Sequence, residues 1–225
     1  MPTTTASRRR AAPRPYHHGD LREALLDAAQ AWLDAPGAAT PTLREIAKAA
    51  GVSHAAPYHH FAGLDELLAA VAARAFARLA DAMAHASANA RSSAGALLDI
   101  GEAYVRVALA HPAQFRLMFG PMLARKAEFP LLAQEAGRAF GVLLAAASAH
   151  APGRGLELAL AGWSLSHGAA NLAIDGAFDG LPIPAAQAAR LRRLDAAALV
   201  RRMAAPLLGV DEPAPRRRAV RPARE

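Results

Sequence analysis

The stretch TLREIAKAAGVSHAAPYHHF, residues 42–61, predicts two short helices separated by a tight turn. Thr42 followed by Glu45 is the pattern of a capping box, in which each side chain accepts a hydrogen bond from the backbone N–H of the other residue. We therefore expect a short helix that begins at Leu43. Gly51 closes this helix, because glycine adopts the left-handed backbone conformation without a steric penalty.

The second helix of this stretch is predicted to have Ser53 as its N-cap and to end at Phe61. Pro57 is then its fourth helical residue, where the missing N–H loses only the hydrogen bond to the carbonyl of the cap. We expect this helix to form with a perturbed first turn. Two short helices joined by a glycine-containing turn are what a helix-turn-helix requires, and its second helix enters the major groove of DNA by its N-terminal end.

The rest of the chain also predicts helices. No segment keeps the alternation of apolar and polar residues that a half-buried strand requires, and Pro and Gly separate segments of helical length. A first helix is expected from Asp20, with Glu23 three residues later as in a capping box, to about Leu33. Further helices are expected at residues 64–89, 93–110, 112–119, 129–149, 156–178 and 185–208, which makes the fold all-α with about nine helices.

Length and composition fit a folded protein of one or two domains. The chain has 225 residues, of which 53% are hydrophobic, so it can bury a core. It has no cysteine, which excludes disulfides and thiolate metal sites. Its apolar runs are interrupted well before 18 residues, and no hydrophobic signal segment follows Met1. We therefore expect a cytoplasmic protein without membrane contact.

The net charge of +7 is concentrated at the two ends of the chain. Residues 1–18 contain four arginines and no acid, and residues 213–225 contain five arginines and one glutamate, so the stretch between them is about −1. Basic ends are solvated tails unless other features point to nucleic acid. We predict a basic N-terminal arm, a helix-turn-helix domain, a second helical domain and a basic tail, with bounds 1–18, 19–63, 64–210 and 211–225.

Residues 42–61, together with the DELL that follows at 65–68, resemble the N-terminal domain of the TetR family of bacterial transcriptional regulators. The resemblance covers about residues 21–71, and its Ala-Gly-Val-Ser turn and Tyr-x-His-Phe end are specific. In the second half, HPAQFRLMF from His111 and WSLSHG from Trp163 resemble members whose C-terminal domain is named for a Trp-His-Gly motif. The resemblance implies an all-α homodimer whose C-terminal domain binds a small-molecule effector and thereby changes the spacing of two DNA-binding domains.

The resemblance also implies which residues contact DNA. His54, Ala55 and Ala56 occupy the turn that meets base edges in the family, and Tyr58 and His59 lie where phosphate and base contacts are made. Residues of the first short helix supply contacts to the DNA backbone. The predicted DNA-binding set is Thr42, Arg44, Lys48, Ser53, His54, Ala55, Ala56, Tyr58 and His59.

Residues 19–61 are short of the cations on which DNA affinity normally depends. They contain three basic and five acidic side chains, and Leu64 stands where many members of the family carry a lysine. Since neutralised phosphates supply most of the affinity for DNA, we hypothesise that the arginines at 8–10 and Arg14 contact DNA, within a flanking minor groove. The alternative is that the arm is a passive tail.

The second domain contains candidates for an effector pocket. Trp163, His167 and Asn171 follow one another at intervals of four residues and therefore lie along one stripe of a helix. A polar pair in an apolar stripe can hydrogen-bond a ligand, although such a histidine can also be a core residue or lie at a dimer interface. The predicted ligand-binding set is His111, Phe115, Met118, Phe119, Trp163, His167 and Asn171.

The histidines at positions 54–60 do not have the spacing of a metal or catalytic site. His59 and His60 are neighbours and point about 100° apart on a helix, and no HExxH pattern accompanies them. No Ser, Asp or Glu stands where it would orient one of these imidazoles for catalysis. We expect no metal, no cofactor and no enzymatic activity.

The sequence therefore predicts a homodimeric, ligand-responsive regulator, a repressor, that binds a palindromic double-stranded operator. As in the family, the last two long helices would pair with their symmetry mates, because both carry small residues that allow close approach. Two alternatives stay open. The acidic balance of residues 19–61 favours an all-α small-molecule-binding protein or enzyme without DNA binding, and the arginine-rich ends favour a sequence-tolerant DNA architectural protein.

Overall fold

The computed structural model describes residues 18–37, 39–191, 193 and 195–210, and every regular element in this part of the chain is helical. The all-α prediction is therefore confirmed. None of the described helices is both long enough and apolar enough to cross a membrane. The α-helices are α1 His18–Asp34, α2 Leu43–Ala49, α3 Leu64–Ala88, α4 Ser93–Ala110, α5 Pro112–Met118, α6 Pro121–Ala124, α7 Pro130–His150, α8 Gly155–Ile174, α9 Ala185–Leu191 and α10 Ala196–Leu207, and two 3-10 helices span Ala56–His59 and Lys126–Glu128.

Helix α2 begins with the predicted capping box. The Oγ1 atom of Thr42 accepts a hydrogen bond from the backbone N–H of Glu45 at 3.2 Å, and the carboxylate of Glu45 accepts one from the backbone N–H of Thr42 at 2.7 Å. The carboxylate also accepts a hydrogen bond from the Thr42 hydroxyl at 2.8 Å, and the two bonds that Thr42 donates to it hold the pKa of Glu45 below its usual value. Gly51 follows the helix with a φ of 72°, the left-handed conformation that the prediction required.

The segment after α2 differs from its prediction. Ser53 does not cap an α-helix, and the regular structure is limited to one 3-10 turn, Ala56–His59. Its hydrogen bonds connect residues three apart, as between the Ala56 N–H and the Ser53 carbonyl oxygen at 3.0 Å. Pro57 explains the difference, because it has no N–H to donate to that carbonyl and so removes the bond that would begin an α-helix. We call residues 53–61 the recognition segment.

A small apolar core joins α1, α2 and the recognition segment to the beginning of α3. Helix α1 begins at His18, so Asp20 lies within the helix, and the prediction that Asp20 caps it was wrong. Because the first two turns of α3 contribute to this core, the predicted boundary at residue 63 falls at the start of a helix that two cores share. We call residues 18–71 the head. Its buried core residues are Leu25, Leu26, Ala29, Leu43, Ile46, Phe61, Leu67, Ala70 and Val71.

A second and larger core lies in the C-terminal domain, which we define as residues 72–210. Here α3 packs against α4 and α7, α4 packs against α8 and α10, and α7 packs against α8. Helix α5 lies at the junction of the two parts, since its Leu117 packs against both cores. Helix α5 therefore connects the domain that was predicted to bind an effector with the head.

Three predictions for the C-terminal half are corrected by the structure. Helix α8 ends at Ile174 instead of residue 178, where Gly176 takes a φ of 67°. The single helix predicted at residues 185–208 is two helices, because Asp195 caps α10 by accepting a backbone N–H of its first turn at 2.6 Å. The connection before α7, predicted to be irregular, contains α6 and the second 3-10 helix.

Candidate DNA-binding surface and effector cavity

The recognition segment exposes the side chains that were predicted to contact DNA. Tyr58 is 58% exposed, which is unusual for a large aromatic residue. Of the predicted set, only Ala56 is half-buried. The exposed members are Thr42, Arg44, Lys48, Ser53, His54, Ala55, Tyr58 and His59.

Two apolar side chains anchor the recognition segment to the head. Pro57 is buried, and Phe61 is only 2% exposed. The guanidinium of Arg22 on α1 lies 5.5 Å from the centroid of the Phe61 ring, a cation–π contact. His60 also turns inward, and its Nε2 atom has no hydrogen-bond partner among the described residues. The buried side chains thus hold the backbone of the recognition segment in place, and its remaining side chains face solvent.

The acidic balance of residues 19–61 is partly offset by a residue outside that range. Arg74 on α3 donates hydrogen bonds to Asp27 at 2.8 Å and to Glu23, so two of the five acids on this stretch are paired. Arg44 and Lys48 make no ion pair within the described part of the chain. The N-terminal arginines lie outside the described residues, and their contact with DNA stays a prediction.

A cavity of about 310 Å³ lies between α3, α4, α7 and α8. Phe119 and Trp163, both in the predicted ligand-binding set, line it. A wider groove of about 500 Å³ lies between the head and the start of α7. It is lined by five charged side chains, three of which, Asp65, Arg125 and Glu128, are paired with one another, so it suits a small apolar effector less well. The residues that complete the lining of the smaller cavity are Phe76, Leu79, Met83, Tyr104, Lys126, Ala133, Ala136, Gly137, Ala139, Phe140, Leu143 and Leu160.

Three polar side chains meet at the inner wall of this cavity. The Tyr104 hydroxyl accepts a hydrogen bond from the Trp163 indole N–H at 3.3 Å and lies 2.8 Å from Nδ1 of His167. The hydroxyl proton has no other acceptor in the described part of the chain, which makes Nδ1 the acceptor and puts the ring proton on Nε2. Burial raises the pKa of Tyr104 and lowers that of His167, so both groups are neutral at pH 7.

The predicted aromatic residues on and just after α5 pack around His167. The centroids of Phe115 and Phe119 lie 5.3 and 4.6 Å from that of the imidazole. Phe115 and Met118 are both 2% exposed, and they lie in the core behind Phe119 instead of lining the cavity. Of these predicted residues on and just after α5, the structure therefore brings Phe119 into direct contact with the cavity and leaves the others as support.

Like Phe115, Met118 and His167, two further residues of the predicted ligand-binding set, His111 and Asn171, do not line the cavity. Asn171 donates its side-chain N–H to the backbone carbonyl of His167 at 2.9 Å, so its amide is used within α8. His111 lies between α4 and α5, with its Nδ1 atom 3.9 Å from a carboxylate oxygen of Asp34 in the head. The predicted stripe on α8 therefore begins at the cavity with Trp163 and leaves it before Asn171.

A buried amide on α5 connects the C-terminal domain with the head. Gln114 is 1% exposed, donates a hydrogen bond to Asp34 of α1 at 2.7 Å, and accepts one from Arg78 of α3 at 3.0 Å. The next residue, Phe115, faces the rings around His167. Gln114 is absent from the predicted set, although a glutamine within the apolar stretch HPAQFRLMF signals a polar contact inside the molecule.

Family models match both halves of the chain. Residues 25–71 match the model described as bacterial regulatory proteins, tetR family, and residues 97–197 match the model described as tetracyclin repressor-like, C-terminal domain. No curated protein sequence matches the chain significantly. Membership of the subgroup named for the Trp-His-Gly motif stays a prediction.

Solved structures share the whole fold. A protein of unknown function from Rhodococcus sp. RHA1 is 28% identical, with a TM-score of 0.69 over 89% of this chain and 100% of its own. A TetR family transcription regulator from Marinobacter aquaeolei VT8 is 20% identical, with a TM-score of 0.56 over 82% of this chain and 93% of its own. The TetR family regulator PfmR from Thermus thermophilus is 22% identical, with a TM-score of 0.53 over 84% and 99%. With two domain models of this family matched in order over residues 25–71 and 97–197, this chain belongs to the TetR family of DNA-binding bacterial transcription regulators.

Proposed function

We propose that the protein is a ligand-responsive repressor that binds a palindromic operator as a homodimer. The observation that carries the proposal is α5, a single short helix that contacts both the rings beside the apolar cavity and α1 of the head. A protein that only stored a small molecule would not need this connection. The regulator would act in the cytoplasm, on chromosomal DNA, and without a catalytic step.

The exposed recognition segment supports direct contact with the operator. His54 can donate to or accept from base edges, and the methyl group of Ala55 suits contact with a thymine methyl group. Tyr58 and His59, together with the backbone-contacting residues of the first helix, would bind phosphate or flanking bases. The other residues of the proposed surface are Thr42, Arg44, Lys48, Ser53 and Ala56.

Exposed leucines of α8 and α10 support the homodimer. Leu156 and Leu160 of α8 are four residues apart and share one face of the helix; they are 54% and 44% exposed, and Leu207 of α10 is 75% exposed. A cluster of large exposed apolar side chains marks a surface that a partner covers. A two-fold dimer bound to DNA would hold its recognition segments about 34 to 36 Å apart, one helical turn.

Effector binding would act through α5. A molecule in the cavity contacts Phe119, and α5 holds the head through the hydrogen bond between Gln114 and Asp34. Effector binding would favour the position of α5 in which the two heads of the dimer do not fit successive major grooves. The effector can shift this equilibrium only by its difference in affinity for the two states.

Fluorescence anisotropy with two labelled duplexes tests the proposal. One duplex carries an inverted repeat from the region upstream of the gene, and the other is a random sequence of equal length at the same salt concentration. We expect the inverted repeat to bind about a thousandfold more tightly or better. Equal binding to both duplexes would instead indicate the architectural protein, and no binding to either would indicate the effector-binding protein or enzyme without DNA binding.

Analytical ultracentrifugation tests the dimer separately. We expect Leu156→Glu to shift the protein towards the monomer, because it puts a charge on the exposed apolar face of α8 without entering the cavity lining. Leu131→Glu is the matched control, since Leu131 is 46% exposed but lies on α7. A wild-type monomer at micromolar concentration, or equal effects of the two changes, would contradict the proposed interface.

A further inference from the structure

We infer that the effector is an amphipathic carboxylate, with an apolar body inside the cavity and its carboxylate bound by Lys126. The inference rests on the proposed function in one respect, namely that the cavity between α3, α4, α7 and α8 is the effector site. It adds the chemical class of the effector and the residue that selects it.

The interior of the cavity favours an apolar body. Apart from Lys126, its lining consists of aliphatic and aromatic residues, and the polar groups on these are the Tyr104 hydroxyl and the Trp163 N–H. The Trp163 N–H donates to the Tyr104 hydroxyl, and that hydroxyl is hydrogen-bonded in turn to His167. A polar group of a ligand buried here would find its potential partners already engaged and would lose its hydration without compensation.

Among the described residues, Lys126 is the one charged side chain in the lining of the cavity. It lies in the second 3-10 helix and is exposed, so the cavity is open to solvent beside it. It makes no ion pair within the described part of the chain. An unneutralised ammonium group at the mouth of an apolar cavity complements a ligand that ends in a negative charge, and its three donors suit a carboxylate.

The neighbouring residue shows that this charge is not simply part of a surface network. Arg125 donates hydrogen bonds to Asp65 at 2.7 Å and to Glu128 at 2.8 Å, and the bond from Arg125 lowers the pKa of Glu128. These two carboxylates beside the segment are thus occupied by Arg125. Lys126, the adjacent cation, is left for a ligand.

The size of the cavity limits the body of the effector. At about 310 Å³ it is at the lower end of the range of roughly 300–1,000 Å³ for small-molecule sites. A medium-length aliphatic chain or a single substituted aromatic ring fits this volume. Both bodies carry the same carboxylate chemistry, and the experiment below includes one probe of each.

Isothermal titration calorimetry on the full chain, without DNA and below the micelle concentration of each probe, tests the inference. The probes are decanoate, 4-butylbenzoate, decanol and decylamine. We expect at least one carboxylate to bind about five to ten times more tightly than decanol, since an ion pair at a partly exposed site contributes modestly. Decylamine should bind most weakly, and the tighter of the two carboxylates identifies the body as aliphatic or aromatic.

Variants at position 126 assign the effect to this side chain. Lys126→Gln should bring carboxylate binding down to that of decanol and leave decanol unchanged, whereas Lys126→Arg should keep the preference. Arg91→Gln, which removes an exposed positive charge between α3 and α4, is the matched control and should also keep it. Binding of neither carboxylate more tightly than decanol, an unchanged preference in Lys126→Gln, or no binding of any probe would overturn the inference. Because the titrations contain no DNA, none of these results decides whether the protein binds an operator, which the anisotropy measurement decides independently.

Discussion

The head and the C-terminal domain place their polar functional groups in opposite ways. In the head, His54, Tyr58 and His59 point into solvent and depend on apolar side chains beneath them. In the C-terminal domain, Tyr104 and His167 point inwards, come from different helices, lie 63 residues apart in the chain, and hydrogen-bond each other. We therefore expect the stability of the head to depend on its buried anchors and not on its exposed candidate residues. In the C-terminal domain, Tyr104 and His167 both support the fold and lie beside the cavity.

The largest expected effect tests the anchor of the head. Phe61→Ala removes a ring that is 2% exposed beneath the recognition segment and should lower the free energy of unfolding by about 3–5 kcal/mol. Urea unfolding followed by circular dichroism measures it. Leu131→Ala, at an exposed position on α7, is the control and should cost far less. A loss below about 1 kcal/mol for Phe61→Ala would mean that the segment is held in another way.

The next effect tests the inward-pointing groups. Tyr104→Phe removes the hydroxyl that joins Trp163 and His167, and it should lower the free energy of unfolding by about 1–3 kcal/mol because both partners lose a buried hydrogen bond. The same urea titration measures the loss. Tyr58→Phe removes an exposed hydroxyl and should have little effect on stability. Equal costs for the two tyrosines would contradict the contrast between the domains.

A smaller effect is expected from the cap of α2. Thr42→Ala removes the side-chain acceptor of the capping box and should lower the free energy of unfolding by about 1 kcal/mol. Thr42→Ser keeps the hydroxyl and should retain most of the stability. If the serine variant loses as much as the alanine variant, the contribution of Thr42 comes from its methyl group and not from the cap.

The pH dependence of stability should reflect His167. Burial lowers its pKa from the ordinary value of 6.5, so the unfolded chain takes up a proton first as the pH falls below that value. The free energy of unfolding should therefore fall with the pH from about 6.5 down to the folded-state pKa. Urea titrations at successive pH values should show that His167→Gln loses this part of the dependence. His54→Gln, at an exposed position, should keep it.

The smallest effect on stability is expected at Tyr58. Tyr58→Ala should change the free energy of unfolding by no more than about 0.5 kcal/mol, because the side chain is 58% exposed. It should nevertheless weaken operator binding about tenfold if Tyr58 contacts DNA. Anisotropy and urea unfolding on the same preparation separate the two quantities. Unchanged affinity would remove Tyr58 from the proposed DNA-binding surface.

The sequence predicted those features of the head that depend on a few neighbouring residues. The capping box of Thr42 and Glu45 and the left-handed Gly51 are both present as expected. The helix after Gly51 was predicted too long, because the loss of one hydrogen bond at Pro57 was expected only to perturb its first turn. With the first turn this short, that single bond decides between an α-helix and a 3-10 turn.

The cavity was predicted only in part, because its walls come from distant parts of the chain. Phe119 and Trp163 stand out as aromatic residues in apolar stretches, and both line it. Tyr104 and Lys126 were missed, since the first shows no pattern beyond helical period and the second lies in a connection predicted to be irregular. Helix spacing shows which residues share a face, but not which faces of separate helices meet.

The buried pair Pro57 and Phe61 also bears on how operator preference can diverge between related regulators. Since these two residues hold the backbone of the recognition segment, the exposed positions between and before them contribute little to folding. If these positions contact the operator as proposed, substitutions at 54, 55, 58 and 59 can accumulate under selection for a new binding site without a compensating change elsewhere. A new DNA specificity would then arise at a small number of adjacent codons.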